Sequence, residues 1–316
     1  MANPPQPGAA APGWADSAVS IVNGMVGDYL HNSANELAIT MACYHRNRPL
    51  PLTRAAIEQA HPQHTPHICV LVHGLGCHEG IWSYPQPGAP EQATSYGAGL
   101  HDELGYTPFY VRYNTGMALQ TNGQQLDALL GALLAAYPPP VEEIVLIGHS
   151  MGGLIIRIAC DLAAQREGSW AEHIQRVFYL GTPHDGADLA RLSHATARVL
   201  GVLPHPITRL VGTVLNQRSQ GVKDLNAGTP HIAWLSHAQH YLLIGTLAAH
   251  PDHVVSRMFG DGLVLAPPAD HADSPAEWLL PIPAEHVQLF PRTNHLRLAH
   301  DPAVYQQIKA WCAVRQ

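Results

Sequence analysis

Lysine is almost absent from this chain. Of its 316 residues only Lys223 and Lys309 are lysines, and charged residues together make up 13%, about half the usual ~25% share. The net charge is −7, and no Lys/Arg cluster supplies the basic face that a nucleic-acid backbone needs, so nucleic acid is excluded as a partner. Cysteine is sparse as well. The five residues Cys43, Cys69, Cys77, Cys160 and Cys312 are odd in number and form no CxxC pair, so neither a zinc knuckle nor a redox motif is supported. Cys69 lies in an apolar run and reads as a small core residue. Long apolar runs are also missing. Residues 126–137, the most apolar long stretch, contain Asp127 and are too short to span a bilayer. The N-terminus "MANPPQPGAAAPGWADSA" lacks the basic and continuous apolar regions of a secretory signal. The expectation is a soluble cytoplasmic protein with no transmembrane segment, of a size that buries its core without metal or disulfide staples. Its oligomeric state is not written in the sequence.

Histidine, by contrast, is abundant, with 22 residues. Net charge should therefore climb steeply as pH falls through ~6.5. His61, His64 and His67 share a three-residue spacing, but Pro62 and Pro66 argue against one helix presenting them together to a metal. No metal is expected.

Residues 1–16 are rich in Pro, Ala and Gly and are expected to be disordered. Val22, Met25, Val26, Tyr29 and Leu30 recur at helical spacing and predict an amphipathic helix over 17–31. Beyond it the chain alternates. Strands are expected at 68–74, 107–113, 142–149, 174–181, 241–247 and 285–290. Helices are expected at 92–104, 117–137, 151–167 and 301–314, the second of them stopped by Pro138, Pro139 and Pro140. Apolar strands alternating with helices imply a mostly parallel sheet covered on both faces. Residues 17–316 read as a single α/β domain. The irregular stretch 186–236 interrupts the alternation as a helical cap insertion.

The stretch "EEIVLIGHSMGGLIIRIA" (142–159) carries the chemistry. A buried strand and a buried helix flank Gly148, His149, Ser150, Met151, Gly152 and Gly153, which fit G-x-S-x-G. Such a tight strand-to-helix turn holds its apex residue in a strained conformation. The neighbours two away must lack side chains, hence Gly148 and Gly152. Ser150 is lifted off the sheet, next to the N–H groups of a helix N-terminus. Ser150 is thus a candidate nucleophile, and a serine nucleophile needs a base, an acid that fixes the base, and donors for the oxyanion.

"VLVHGLG" (70–76) supplies a glycine-bearing loop after a strand, and Leu75 N–H with Met151 N–H are the expected oxyanion donors. For the base, His295 in "PRTNHLRLAHD" leaves the last short strand at the same sheet edge as Ser150. His300, beside Asp301 at a helix start, is the alternative, and His286 reads as structural. For the acid, Asp261 in "FGDGLVLAPP" has glycine on both sides, and Asp252 is its rival. His73, Gly74, His149 and His184 border the same space as candidate substrate contacts. For His184 a structural turn leading into the cap is the competing reading. Asn114 and Thr115 are expected to cap a helix starting near Gly116.

Taken in order, "VHGLG", "GHSMGG", "LGTPHDGADLA", "GDGLV" and "NHL" resemble the bacterial serine lipases and esterases of the α/β-hydrolase superfamily, most of all the GPI inositol-deacylase-like branch. "VRYNTGMALQTNGQQLDALL" (111–130) and "GVKDLNAGTPHIAWLSH" (221–237) are similar to that branch too, so the resemblance spans about 68–300. It implies an α/β-hydrolase fold and hydrolysis of small-molecule or lipid carboxylic esters through an acyl-enzyme, with no organic cofactor. Ser150 matches the nucleophile, Asp261 the acid, His295 the base and "HGLG" the oxyanion loop. Similar bacterial lipases place an acidic calcium ligand two residues after the catalytic histidine. Here that residue is Arg297, so no calcium is expected. Thioesterase, amidase or acyltransferase chemistry would use the same parts, and a silent hydrolase fold acting as a binding module is the rival of another class.

Overall fold

The computed structural model describes residues 13–138, 140–184, 219–227, 232–246 and 282–314. Most of the expected cap, together with Asp252 and Asp261, lies outside the described residues.

The strands form where apolar side chains run without interruption. β3 (His67–Val72), β6 (Thr107–Arg112), β7 (Glu143–His149), β8 (Ile174–Leu180), β9 (Gln239–Thr246) and β10 (Val287–Pro291) are all parallel, in the order β10-β9-β8-β7-β3-β6. The sheet continues into β1 (Ala42–His45) and β2 (Arg48–Pro49), an antiparallel hairpin at the edge beyond β6. The runs are continuous because both faces are covered. Val70, Val72, Leu146 and Tyr179 pack in a core with Leu126, Leu130, Leu154 and Ile155 of helices α4 (Leu119–Ala136) and α5 (Met151–Ala164). The intervening residues Leu71, Val145, Ile147 and Phe178 pack with Tyr96, Leu100, Tyr305 and Ile308 of α3 (Tyr96–Leu104) and α7 (Pro302–Ala313). Cys69 belongs to this second core and is fully buried. α2 (Arg54–Ala60), between β2 and β3, and α6 (Gln220–Ala227), ahead of β9, complete the seven α-helices among the described residues.

Several local expectations need correcting. Residues 92–104 are not one helix: β4 (Ser83–Gln86) and β5 (Ala89–Ser95) form a separate antiparallel hairpin, and α3 begins only after the N-cap Ser95, whose Oγ accepts the Ala98 N–H at 3.2 Å. Asn114 and Thr115 do not cap α4. Its N-cap position is Ala118, and the Leu119 N–H is taken by the Asp224 carboxylate of α6 at 2.9 Å. Asn114 Oδ1 instead accepts the Gly116 N–H at 3.1 Å. His61, His64 and His67 pack against the rings of Phe109, Tyr137 and Tyr106 respectively.

α1 (Trp14–Asn32) packs on the body, but through a different face from the one its apolar spacing predicts: Ile21, Asn23, Gly24, Gly27 and Leu30 are buried, whereas Val22, Met25 and Val26 are only partly buried and Tyr29 is exposed. Its Gly24 faces Gly76 in the loop after β3, and Asn114 Nδ2 donates to Gly27 O at 2.8 Å. The sheet's connections place a crevice at one point. β3 leads towards β6 on one side and β7 towards β8 on the other, so the carboxyl ends of β3 and β7 flank the position where ligands bind in such sheets.

At that edge α3 is tied to the segment after β10. The buried Tyr96 hydroxyl accepts the Asp301 N–H at 2.9 Å, and the carbonyls of Leu298 and Asp301, each 2.9 Å away, share its single proton. Tyr96→Phe strands these buried backbone groups. It should lower stability by about 1–3 kcal/mol, read as a reduced urea midpoint with unchanged slope.

Candidate active site

Ser150 sits between β7 and α5 with φ +54° and ψ −124°, a backbone conformation that non-glycine residues avoid. Its surroundings hold it there. The Ser150 N–H donates to Leu180 O of β8 at 2.8 Å, and the Gly153 N–H donates to Ser150 O at 3.1 Å. The turn is tight enough that a Cβ at Gly148 would lie 2.6 Å from Gly153 Cα, and one at Gly152 would lie 2.2 Å from Val72 O. Both glycines are therefore required by close backbone approach, as the sequence pattern anticipates.

The loop after β3 closes on the same residue. A Cβ at Gly74 would come within 2.9 Å of Ser150 Cβ and 3.0 Å of His149 Nδ1, so only bare backbone fits. The loop is held from behind. His73 is fully buried, its ring stacked on Tyr113 at 4.5 Å, its Nδ1–H donating to Gly74 O at 2.9 Å, while the Tyr113 hydroxyl donates to His73 O at 2.8 Å. The Gly76 N–H donates to Thr115 Oγ1 at 3.0 Å, and His78 pairs with Ser17 Oγ of α1 at 3.0 Å. Leu75 sits within this braced loop, half-buried, and Met151 is the first residue of α5 and fully buried.

His295 follows β10 and is 5% exposed, comparable to Ser150 at 7%. Its segment is fastened by the Thr293 N–H donating to Thr246 O at 3.1 Å and by the Tyr96 contacts. The His295 carbonyl accepts a hydrogen bond from His149 Nε2 at 2.9 Å, and the two rings lie 4.9 Å apart. The fold thus gathers Ser150, Met151, Gly74, Leu75 and His295 at one sheet edge. His286 is elsewhere, packed on Tyr241 at 4.3 Å, and His300 precedes Asp301, the N-cap of α7. Arg297, two residues after His295, pairs with Asp301 at 2.7 Å.

His184 is drawn inward. Its Nδ1 accepts a hydrogen bond from Arg157 Nη1 at 3.1 Å, and its ring meets Tyr179 and Trp234 edge-on or tilted. The buried Arg157 guanidinium also lies 4.1 Å over the Trp234 ring and donates to Ile232 O. The rings of His73, His149 and His184 are all engaged by protein groups, which suits them to hold the edge of the site.

The same fold appears among known proteins. The mature form of Bacillus licheniformis lipase BlEst2 is similar in structure, with a TM-score of 0.51 at 19% identity over 78% of this chain and 92% of that one. The chain has the α/β-hydrolase fold. Residues 107–203 of this chain match the family model of the PGAP1-like alpha/beta domain. More distant in structure is naproxen esterase from Bacillus subtilis, with a TM-score of 0.43 at 13% identity, covering 78% of this chain and 83% of that one. No curated protein sequence matches the chain.

The sequence alone does not mark Tyr113, Tyr96 or Arg157 as braces, and Thr115 reads there as a helix cap. Only Arg157 left a signal, a lone charge inside the apolar run "GGLIIRIAC".

Two predictions follow from this architecture. The strain at Ser150 is relieved by Ser150→Gly, since glycine adopts positive φ freely. That variant should be more stable than wild type by about 1 kcal/mol in urea unfolding, despite losing the hydroxyl. The histidines give the second. Burial pushes His73 down to about 3, burial and the nearby His295 hold His149 well below the usual imidazole range, and burial with the adjacent Arg157 does the same for His184. The folded protein therefore gains less charge through pH ~6.5 than its histidine count alone suggests. Depressed folded values mean that the unfolded chain takes up protons first. The stability they contribute is intact above ~6.5 and is lost progressively as pH falls through their depressed folded values, by up to about 1.4 kcal/mol per pH unit for each such histidine. Urea midpoints measured from pH 7.5 to 4.5 should be flat above 6.5 and fall steeply below it.

Proposed function

We propose that the protein is a serine hydrolase of carboxylic esters, with Ser150 as nucleophile, His295 as base and Asp261 as acid. Asp261 lies outside the described residues and is assigned from its glycine-flanked sequence context and from the family resemblance. The observation that carries the reading is the strained Ser150 turn, with the Gly74 backbone against it and His295 fastened beside its neighbour His149. A protein has no packing reason to hold a serine at φ +54° behind glycines that admit no side chain. A hydroxyl presented for attack is a reason. The lipase identity of the Bacillus licheniformis fold neighbour adds weight to esters over other acyl compounds.

In this mechanism His295 takes the proton from Ser150 Oγ as the oxygen bonds to the ester carbonyl carbon. The N–H groups of Leu75 and Met151 hold the resulting oxyanion, and Asp261 keeps the imidazolium oriented. The carbon–alkoxide bond then breaks, and His295 hands its proton to the leaving alcohol. Water, deprotonated by the same ring, attacks the acyl-enzyme and frees the acid. No metal or organic cofactor takes part in these steps. The substrate is a small-molecule or lipid ester.

Ser150→Ala should abolish hydrolysis of short acyl p-nitrophenyl esters, a loss of at least about 10,000-fold, while circular dichroism shows an intact fold. Wild-type rates retained in that variant would remove Ser150 from the mechanism. A panel of acyl-chain lengths, with thioester and amide counterparts, ranks the substrate classes in the same assay.

A further inference from the structure

His149 occupies the variable position of the G-x-S-x-G turn, where a side chain of any kind satisfies the backbone requirement. Here the side chain is an imidazole, 1% exposed, set among the proposed nucleophile, oxyanion loop and base. It is covalently adjacent to Ser150. Its Nδ1 lies 3.0 Å from the point where a Gly74 Cβ would stand, so it abuts the oxyanion loop. Its Nε2 lies 2.9 Å from the backbone oxygen of His295. The far side of the ring meets the edge of Trp82, 6.5 Å between centroids at 84°, which fixes its plane. A carbonyl only accepts, so Nε2 carries the proton and the ring is the neutral Nε2–H tautomer.

We infer that His149 is a positioning residue: its Nε2–H holds the carbonyl of His295 while its ring, wedged beside Gly74, keeps nucleophile, oxyanion loop and base in one fixed arrangement. The inference rests on the esterase reading and assigns His149 a role inside it other than substrate contact. The base arrives on a segment between β10 and α7 that is far from Ser150 in sequence, and His149 grips that segment by its backbone carbonyl beside the ring contact at 4.9 Å. Losing the grip lets the ring of His295 drift, and a displacement of about 1 Å is enough to lower turnover ~100-fold. Charge supports the same assignment. The groups facing His149 are the histidines His295, His73 and His300, and burial keeps its own imidazole uncharged beside the imidazolium that His295 becomes during turnover.

The test compares two polar substitutions. Glutamine carries an amide N–H at about the reach of Nε2, and asparagine falls short by one methylene. His149→Gln should retain kcat within about 5-fold of wild type. His149→Asn should lose about 10- to 100-fold in kcat with KM changed less than about 3-fold. Equal kcat in wild type and the asparagine variant, equal losses in both variants, or a loss confined to KM would overturn the inference. A measurement on the wild-type protein covers the case in which the variants do not fold. Imidazole 15N–1H correlation spectra, with His149 assigned through its contact with the Trp82 indole, should show a slowly exchanging Nε2–H from pH 6 to 8. An Nδ1–H tautomer or a charged ring in that range would overturn it. Failure of the esterase reading shows differently: wild-type protein would then neither hydrolyse esters nor take up a phosphonate at Ser150, whatever the variants do.

Discussion

The site depends on a constraint of space. At the crevice between the carboxyl ends of β3 and β7, three backbone segments approach so closely that no Cβ fits at Gly148, Gly152 or Gly74. Ser150 occupies the centre of that junction in a conformation worth roughly 1–3 kcal/mol of strain, retained because Leu180 O and the α5 N-terminus fix the turn from both ends. The parallel sheet makes this possible. Its registers align Val72, Gly148 and Tyr179 along one edge, so the loops that leave these strands meet without any long excursion.

Around the junction the fold uses neutral aromatic and imidazole rings where many proteins use ion pairs. His73 on Tyr113, His149 against Trp82, and His184 against Arg157 and Trp234 are rigid, flat and hydrogen-bonded at one edge. This gives the abundant histidines a physical account that composition alone does not supply. Several of them serve as buried polar struts. The consequence is that the same residues that stiffen the site also make the protein sensitive to acid, because a strut works only while it is uncharged.

Much of the fold was legible because its signals are local and redundant. The uninterrupted apolar runs of β3, β7, β8 and β9 mark strands buried on both faces, and the glycines around Ser150 mark a turn whose reason is steric. Residues 89–104 were harder. The β5–α3 boundary is set by Ser95 as a cap and by the return of β5 onto β4, which is a pairing between segments and leaves no periodicity. The start of α4 shows the same limit. Its first N–H is capped by Asp224 from a helix 105 residues away, and nothing near Leu119 announces that. For the site, Ser150 and His295 could be named because each sits at the end of a recognisable strand. The braces Tyr113, Tyr96 and Thr115 could not, since a hydroxyl that holds a distant carbonyl or amide looks like any other in sequence.

The central claim is that the Ser150 hydroxyl attacks acyl carbon within reach of His295 and the loop amides. A crystal structure of the protein after reaction with an alkyl phosphonate reads this directly. The account predicts phosphorus bonded to Ser150 Oγ, one phosphonyl oxygen about 2.7–3.1 Å from the Leu75 and Met151 nitrogens, and the His295 ring on the leaving-group side. Phosphorus on any other residue, or a Ser150 adduct whose oxygen turns away from those amides, would contradict it.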